Sequence, residues 1–188
     1  MKTMVVFLLA MLNTGHVQQL ENDATLPQGE GGEVEWEGVI NAGEVSQDQL
    51  MKRARHYFKN DKEYSKAESI NGGVKAVKTD NFFLNGDNAV RYKCSYQVAI
   101  EVKEGRYKYK ISEMVYEQYP KKAQPAPLPI EATTLYREYR NLMAQGKHKS
   151  KKAKNSYSIC KSTIRLIDEL LEEMQTAMAT EVAGTDDW

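Results

Sequence analysis

The sequence predicts an α+β fold: an antiparallel sheet with two helices packed on one face and the other face open to solvent. Three observations carry this. From Val90 to Val102 every second residue is apolar, seven in succession, which is the signature of a strand with one buried face. A three-residue turn, Lys103-Glu104-Gly105, then leads straight into a second alternating run, so the two strands are antiparallel neighbours. Finally, apolar stripes at helical spacing follow the first strand and close the chain. With 188 residues, 41% hydrophobic, 28% charged and only 5 Pro, the composition is that of one ordinary globular domain. Lys plus Arg and Asp plus Glu are equal at 26 each, so the molecule as a whole has no field that favours nucleic acid or an acidic membrane surface.

The elements follow in order. Residues 1–19 read as a signal peptide: Lys2 precedes an apolar run from Met4 to Leu12, too short to span a bilayer, and Gly15 is the best small residue for cleavage. No cysteine follows the run, so no N-terminal lipid anchor is expected, nor a transmembrane anchor once the signal is removed. Residues 20–32 are polar and Gly-rich and read as a flexible tether. The domain, 33–180, opens on a strand in which Val34, Trp36 and Ile40 share the apolar face opposite Glu33, Glu35 and Glu37. Ser46 and Gln49 then form a capping-box pattern ahead of a helix whose stripe is Leu50, Ala54, Tyr57 and Phe58.

Asn71-Gly72-Gly73 and Asn85-Gly86-Asp87 mark turns on either side of strand-like runs, and the Val90 to Val102 strand follows. In its partner, Tyr107, Tyr109 and Ile111 face the core, and the alternation slips near Glu113 and Met114, as at a bulge or strand end. Residues 120–154 form a Pro- and Lys-rich insertion. Its Pro-rich start lies outside the sheet, residues 131–146 carry a helix with Leu135, Tyr139 and Leu142 on one side, and 146–154 is a solvated charged loop. The closing helix buries Tyr157, Cys160, Ile164, Ile167, Leu171, Met174 and Met178, and 181–188 frays.

The phrases "GGEVEWEGVINAGEVSQDQLMKRARHYF" and "EVKEGRYKYKISEM", together with the closing amphipathic helix, resemble an exported bacterial domain of unknown function with a TATA-binding-protein-like fold. The resemblance covers roughly residues 33–178, best over 33–118 and the last helix, and least from Lys121 to Lys154. It implies the fold and export, to the periplasm, envelope or exterior. It implies no activity, and no catalytic residue comes with it.

The residues agree. His16, His56 and His148 are the three histidines, one in the signal segment and two on charged, exposed segments, so no His-rich metal cluster is expected. No G-x-S-x-G, Cys/His or phosphate-loop pattern occurs, so no catalytic residue, metal or cofactor is expected. What stands out is basic: Arg91, Lys93, Lys103, Arg106, Lys108 and Lys110 fall on the open face of two adjacent strands, offset in part by Glu101 and Glu104. Such a face suits an anionic ligand or an envelope protein partner through charge-assisted hydrogen bonds. Equally, lysines on sheet faces and edges serve solubility and block edge pairing. The expected function is a non-catalytic exported binding module. The alternatives are an enzyme with an undetected pocket and a nucleic-acid binder by fold analogy. Cys94 and Cys160 lie on the core sides of strand and helix and are expected to be buried, with a disulfide between them left open.

Overall fold

A computed structural model describes residues 24–60, 63–84, 90–120, 125 and 127–181. The signal peptide, the Asn85-Gly86-Asp87 turn, and residues 182–188 of the tail fall outside them. The elements are β1 (Trp36–Asn41), α1 (Gln47–Asn60), β2 (Tyr64–Ile70), β3 (Gly73–Leu84), β4 (Val90–Lys103), β5 (Arg106–Gln118), β6 (Ile130–Glu131), α2 (Ala132–Ala144) and α3 (Lys151–Ala179). The sheet is antiparallel in the order β1-β5-β4-β3-β2, with the two-residue β6 pairing on β5.

The alternation in β4 does what it predicts. Tyr92, Cys94, Tyr96, Val98, Ile100 and Val102 are all buried, while Arg91, Glu101 and Lys103 are exposed. In β5 the phase changes: Tyr107 and Ile111 point inward before the slip, and Met114 and Tyr116 after it. The register jumps between Ser95 and Gln97, whose partners are Val115 and Ser112, so Glu113 and Met114 both oppose Tyr96. Glu113 takes a φ of 53°, the backbone turn that absorbs the extra residue. The strand then continues to Gln118.

Helix α1 starts with the capping box read from the sequence. Gln49 N donates to Ser46 Oγ and Ser46 N donates to Gln49 Oε1, both at 3.3 Å. Its stripe of Leu50, Ala54, Tyr57 and Phe58 is buried. Arg53, 7% exposed, crosses to the far helix and donates to the Met178 carbonyl at 2.8 Å, where the α3 C-terminus favours a cation.

Four expectations need correction. Among the described residues three helices pack on the sheet rather than two, since the helix expected over 131–146, α2, buries Leu135, Tyr136 and Tyr139 in the same core as α1 and α3. Residues 24–32 are no tether: Ala24 and Leu26 are buried, and Gln28 bridges Val34. Lys151 to Lys154 form the first turn of α3, because Ser150 caps it by accepting from Ala153 N at 3.1 Å. The buried stripe of α3 also includes Ser156 and Thr163, while Tyr157, Ile164 and Leu171 are half-buried on its flank. Thr163 fits in the core because its hydroxyl donates to the Ile159 carbonyl at 2.9 Å and pairs with Tyr116 Oη at 2.8 Å.

Both cysteines are buried and free. Burial pushes the Cys160 thiol up to about 12 and the Cys94 thiol higher still, with the charge of Asp80 adding to the latter. The reactive thiolate is therefore scarce at both positions. Native, unreduced protein is expected to label slowly at Cys94 and Cys160 and to take two labels at once on unfolding without reductant. Rapid native labelling of either would contradict this packing.

Candidate functional site

On the open face, β3, β4 and β5 set side chains in rows. Register places Phe83 opposite Arg91, Asn81 opposite Lys93, and Thr79 opposite Ser95, with Glu117 beyond Lys93 and Val115 beyond Ser95. The six predicted cations all lie on this face, but the structure does not gather them into one positive patch. Lys93 pairs with Glu117 at 3.2 Å, Lys108 with Glu37 at 2.9 Å and Lys110 with Glu35 at 2.7 Å. The partnership shows in the acids and bases alike: the Lys108 hydrogen bond holds the Glu37 carboxyl below its ordinary range, and Glu37 and Glu35 hold Lys108 and Lys110 above theirs. Among the described residues, Arg91, Lys103 and Arg106 make no ion pair. Lys103 and Arg106 face each other at the β4 to β5 turn, whereas Arg91 sits at the opposite end of β4, roughly 40 Å away at strand rise.

Arg91 has aromatic company that the sequence did not reveal. Its guanidinium lies 4.4 Å from the centroid of Tyr119 and 5.6 Å from that of Phe83. Tyr119 is fixed in turn, its hydroxyl donating to Asn81 Oδ1 at 2.8 Å and its amide to the Arg91 carbonyl at 3.0 Å. Phe83 and Tyr119 are 59% and 39% exposed, uncommon for aromatic side chains without a partner. The available signal was Phe83 in phase with the outward side of β3, after two polar outward positions.

The other face holds an open groove of about 1140 Å³ between β3 and α3. Its floor is Lys78, Asp80 and Tyr96, polar groups at inward positions of β3 and β4. Lys78, 5% exposed, lies 3.5 Å from Glu63 and 3.6 Å from Glu173, and 5.1 Å above the Tyr64 ring. Tyr96 Oη donates to Asp80 Oδ2 at 2.5 Å. Burial raises the Asp80 carboxyl above its ordinary range, while the Tyr96 bond and the Lys78 charge pull it down. Asp168 on the α3 wall is also raised by burial. These groups are bound to one another, and among the described residues no buried side-chain nitrogen or oxygen lacks a hydrogen-bond partner.

The raised Asp80 has a thermodynamic consequence. The folded state holds this proton more tightly than the unfolded chain, so its contribution is full at acid pH and is lost as pH rises through the raised native value. Asp80→Asn, which keeps an acceptor for Tyr96, is expected to flatten that decline in urea unfolding measured across the carboxylate range. An unchanged pH profile would refute the assignment.

Among the described residues no group of three His, Cys, Asp or Glu side chains is placed to hold a metal ion, and no helix is long and apolar enough to cross a membrane.

Comparison with known proteins places the fold. No curated protein matches the chain. A TBP-like protein from Parabacteroides distasonis superposes with a TM-score of 0.62 at 16% identity, covering 84% of this chain and 99% of the other. A DUF4468 family protein from Bacteroides ovatus superposes with a TM-score of 0.58 at 13% identity, covering 82% and 91%. At these identities the likeness shows the fold alone. The model of DUF4468, a domain of unknown function with TBP-like fold, matches residues 36–117, from the first residue of β1 almost to the end of β5. The segment from β1 through β5 accordingly resembles the DUF4468 domain, and the likeness to the TBP-like fold, which covers 84% of the chain, extends beyond that segment.

Proposed function

We propose that the protein is a non-catalytic binding module, exported from the cell, that uses the open face of its sheet to hold an anionic ligand or partner. One observation carries the reading: α1, α2 and α3 pack into a single core on the opposite side, leaving a face with three cations that, among the described residues, no carboxylate neutralises. Charges left unpaired on a rigid sheet are preorganised for an outside partner. The groove between β3 and α3 supports catalysis less well, since Lys78, Asp80 and Tyr96 are already engaged with protein partners. Nucleic acid is not favoured, because the chain carries no net charge and half of the open-face cations are offset.

Titrating the full chain with dextran sulfate at low salt and following backbone amide shifts tests the reading. Salt-sensitive shifts at Arg91, Lys103 and Arg106 are expected. Shifts confined to α1, α2 and α3, or none, would overturn it. Export is tested separately by mass spectrometry of protein from the native host: the mature chain should lack about the first fifteen residues, and an intact Met1 would refute it.

A further inference from the structure

We infer that the end of the open face built from Asn81, Phe83, Arg91 and Tyr119 is a receptor for a carboxylate carried on a sugar ring, as in an acidic glycan. The inference rests on the open-face reading above and gives it a place and a ligand class. It starts from the guanidinium. With its guanidinium over the rings of Tyr119 and Phe83, Arg91 loses much of the rotamer freedom that an exposed arginine would surrender on binding. Its N–H donors find no acceptor side chain among the described residues, and they present the planar fork that matches a carboxylate. Tyr119 takes the Asn81 oxygen, which leaves the Asn81 amide nitrogen as a second donor on the adjacent row of the sheet, opposite Lys93.

The neighbours select among anions. Lys93, one row along β4, is already held by Glu117 at 3.2 Å, so among the described residues the Arg91 end carries one uncompensated positive charge beside a carboxylate. A monoanion balances it, whereas a phosphate dianion would meet Glu117 with excess charge. The next row along is neutral and hydrogen-bonding: Thr79 and Ser95 share a bond at 3.1 Å, and Gln97 lies beyond. Rows on one strand repeat at about 7 Å, so the acid-binding end continues into a strip of hydroxyl and amide groups. Phe83, 59% exposed, supplies an apolar surface against which the carbon-bound hydrogens of a sugar ring can pack. A carboxylate, an apolar ring face and a row of hydroxyls together describe a uronic acid unit of a glycan.

The probes are a galacturonic acid trimer, the neutral galactose trimer and a triglutamate peptide, each titrated into the full chain and followed by amide shifts and calorimetry. The uronic acid trimer is expected to saturate shifts at Asn81, Phe83 and Tyr119. Arg91→Gln should weaken it at least tenfold, and Arg91→Lys nearly as much, because the charge remains but the fork is gone. Arg106→Gln should leave the affinity unchanged. Both side chains, Arg91 and Arg106, are exposed, and an unaltered native spectrum confirms that each variant folds. Equal binding of the neutral trimer, tighter binding of triglutamate, or full affinity in Arg91→Gln would each overturn the inference. If the trimer fails to bind while dextran sulfate still shifts Lys103 and Arg106, this site is wrong and the open-face reading stands. If dextran sulfate fails as well, both fall.

Discussion

Tyr116→Ala is expected to destabilise the fold by about 3 to 5 kcal/mol, the range for emptying a buried aromatic position. Tyr116 is 1% exposed, its ring meets Phe82 edge-on at 6.2 Å, and its hydroxyl joins Thr163 of α3 at 2.8 Å. It is the side chain through which β5 grips the long helix. Tyr116→Phe separates the two contributions. Thr163 keeps its bond to the Ile159 carbonyl, so losing the phenol hydroxyl should cost only about 1 kcal/mol. A domain with a total stability of roughly 5 to 15 kcal/mol would survive the second change and approach unfolding with the first. Urea midpoints of the two variants decide the matter, and equal small losses would show that the ring is not wedged as described.

Gly73→Ala should cost about 3 kcal/mol, at the upper end of what overpacking imposes, for a single added methyl. A Cβ at Gly73 would stand 2.2 Å from the Ile100 carbonyl oxygen and 2.9 Å from the Glu101 Cα. Those are backbone atoms of the central strand, so relief requires moving the β2 to β3 hairpin away from β4. The adjacent Gly72 makes the comparison sharp. Its φ is 73° and nothing lies within 4 Å of an added Cβ, so Gly72→Ala meets only the left-handed backbone penalty of about 1 to 2 kcal/mol. Thermal or urea unfolding should rank Gly73→Ala as the more damaging, and the reverse order would mean that the hairpin yields easily.

How far the sequence could be read depended on whether the signal was local. The β4 alternation, the Ser46 and Gln49 capping box and the slip at Glu113 are decided within a few residues, and each is present in the structure. Lys78 and Asp80 escaped because inward polar positions are tolerated only through partners remote in the chain, Glu173 on α3 and Tyr96 on β4. Thr163 was passed over for the same reason, since an apolar stripe cannot register a hydroxyl satisfied by its own helix and by another strand. For the open face, period two was enough to put six cations on one side. Which of them stay charged toward solvent depends on β1 lying beside β5, bringing Glu35 and Glu37 to Lys110 and Lys108. The joining of Phe83, Arg91 and Tyr119 likewise comes from the pairing of three strands, and no one of them displays it alone.

The extra residue opposite Tyr96 has a consequence for how β5 finds its place during folding. A uniformly alternating strand punishes a slip of one residue, which turns its apolar side to water, but a slip of two restores every side chain to the correct face. β5 has no such second chance. Its inward residues are Tyr107 and Ile111 on one side of the bulge, and Met114 and Tyr116 on the other, so the change of parity must fall beside Tyr96. Sliding β5 by two positions would carry that change past its mark and leave either Ile111 or Met114 on the wet side of the sheet. The bulge thus works like the notch of a key, admitting one alignment among several that hydrophobic pattern alone would accept.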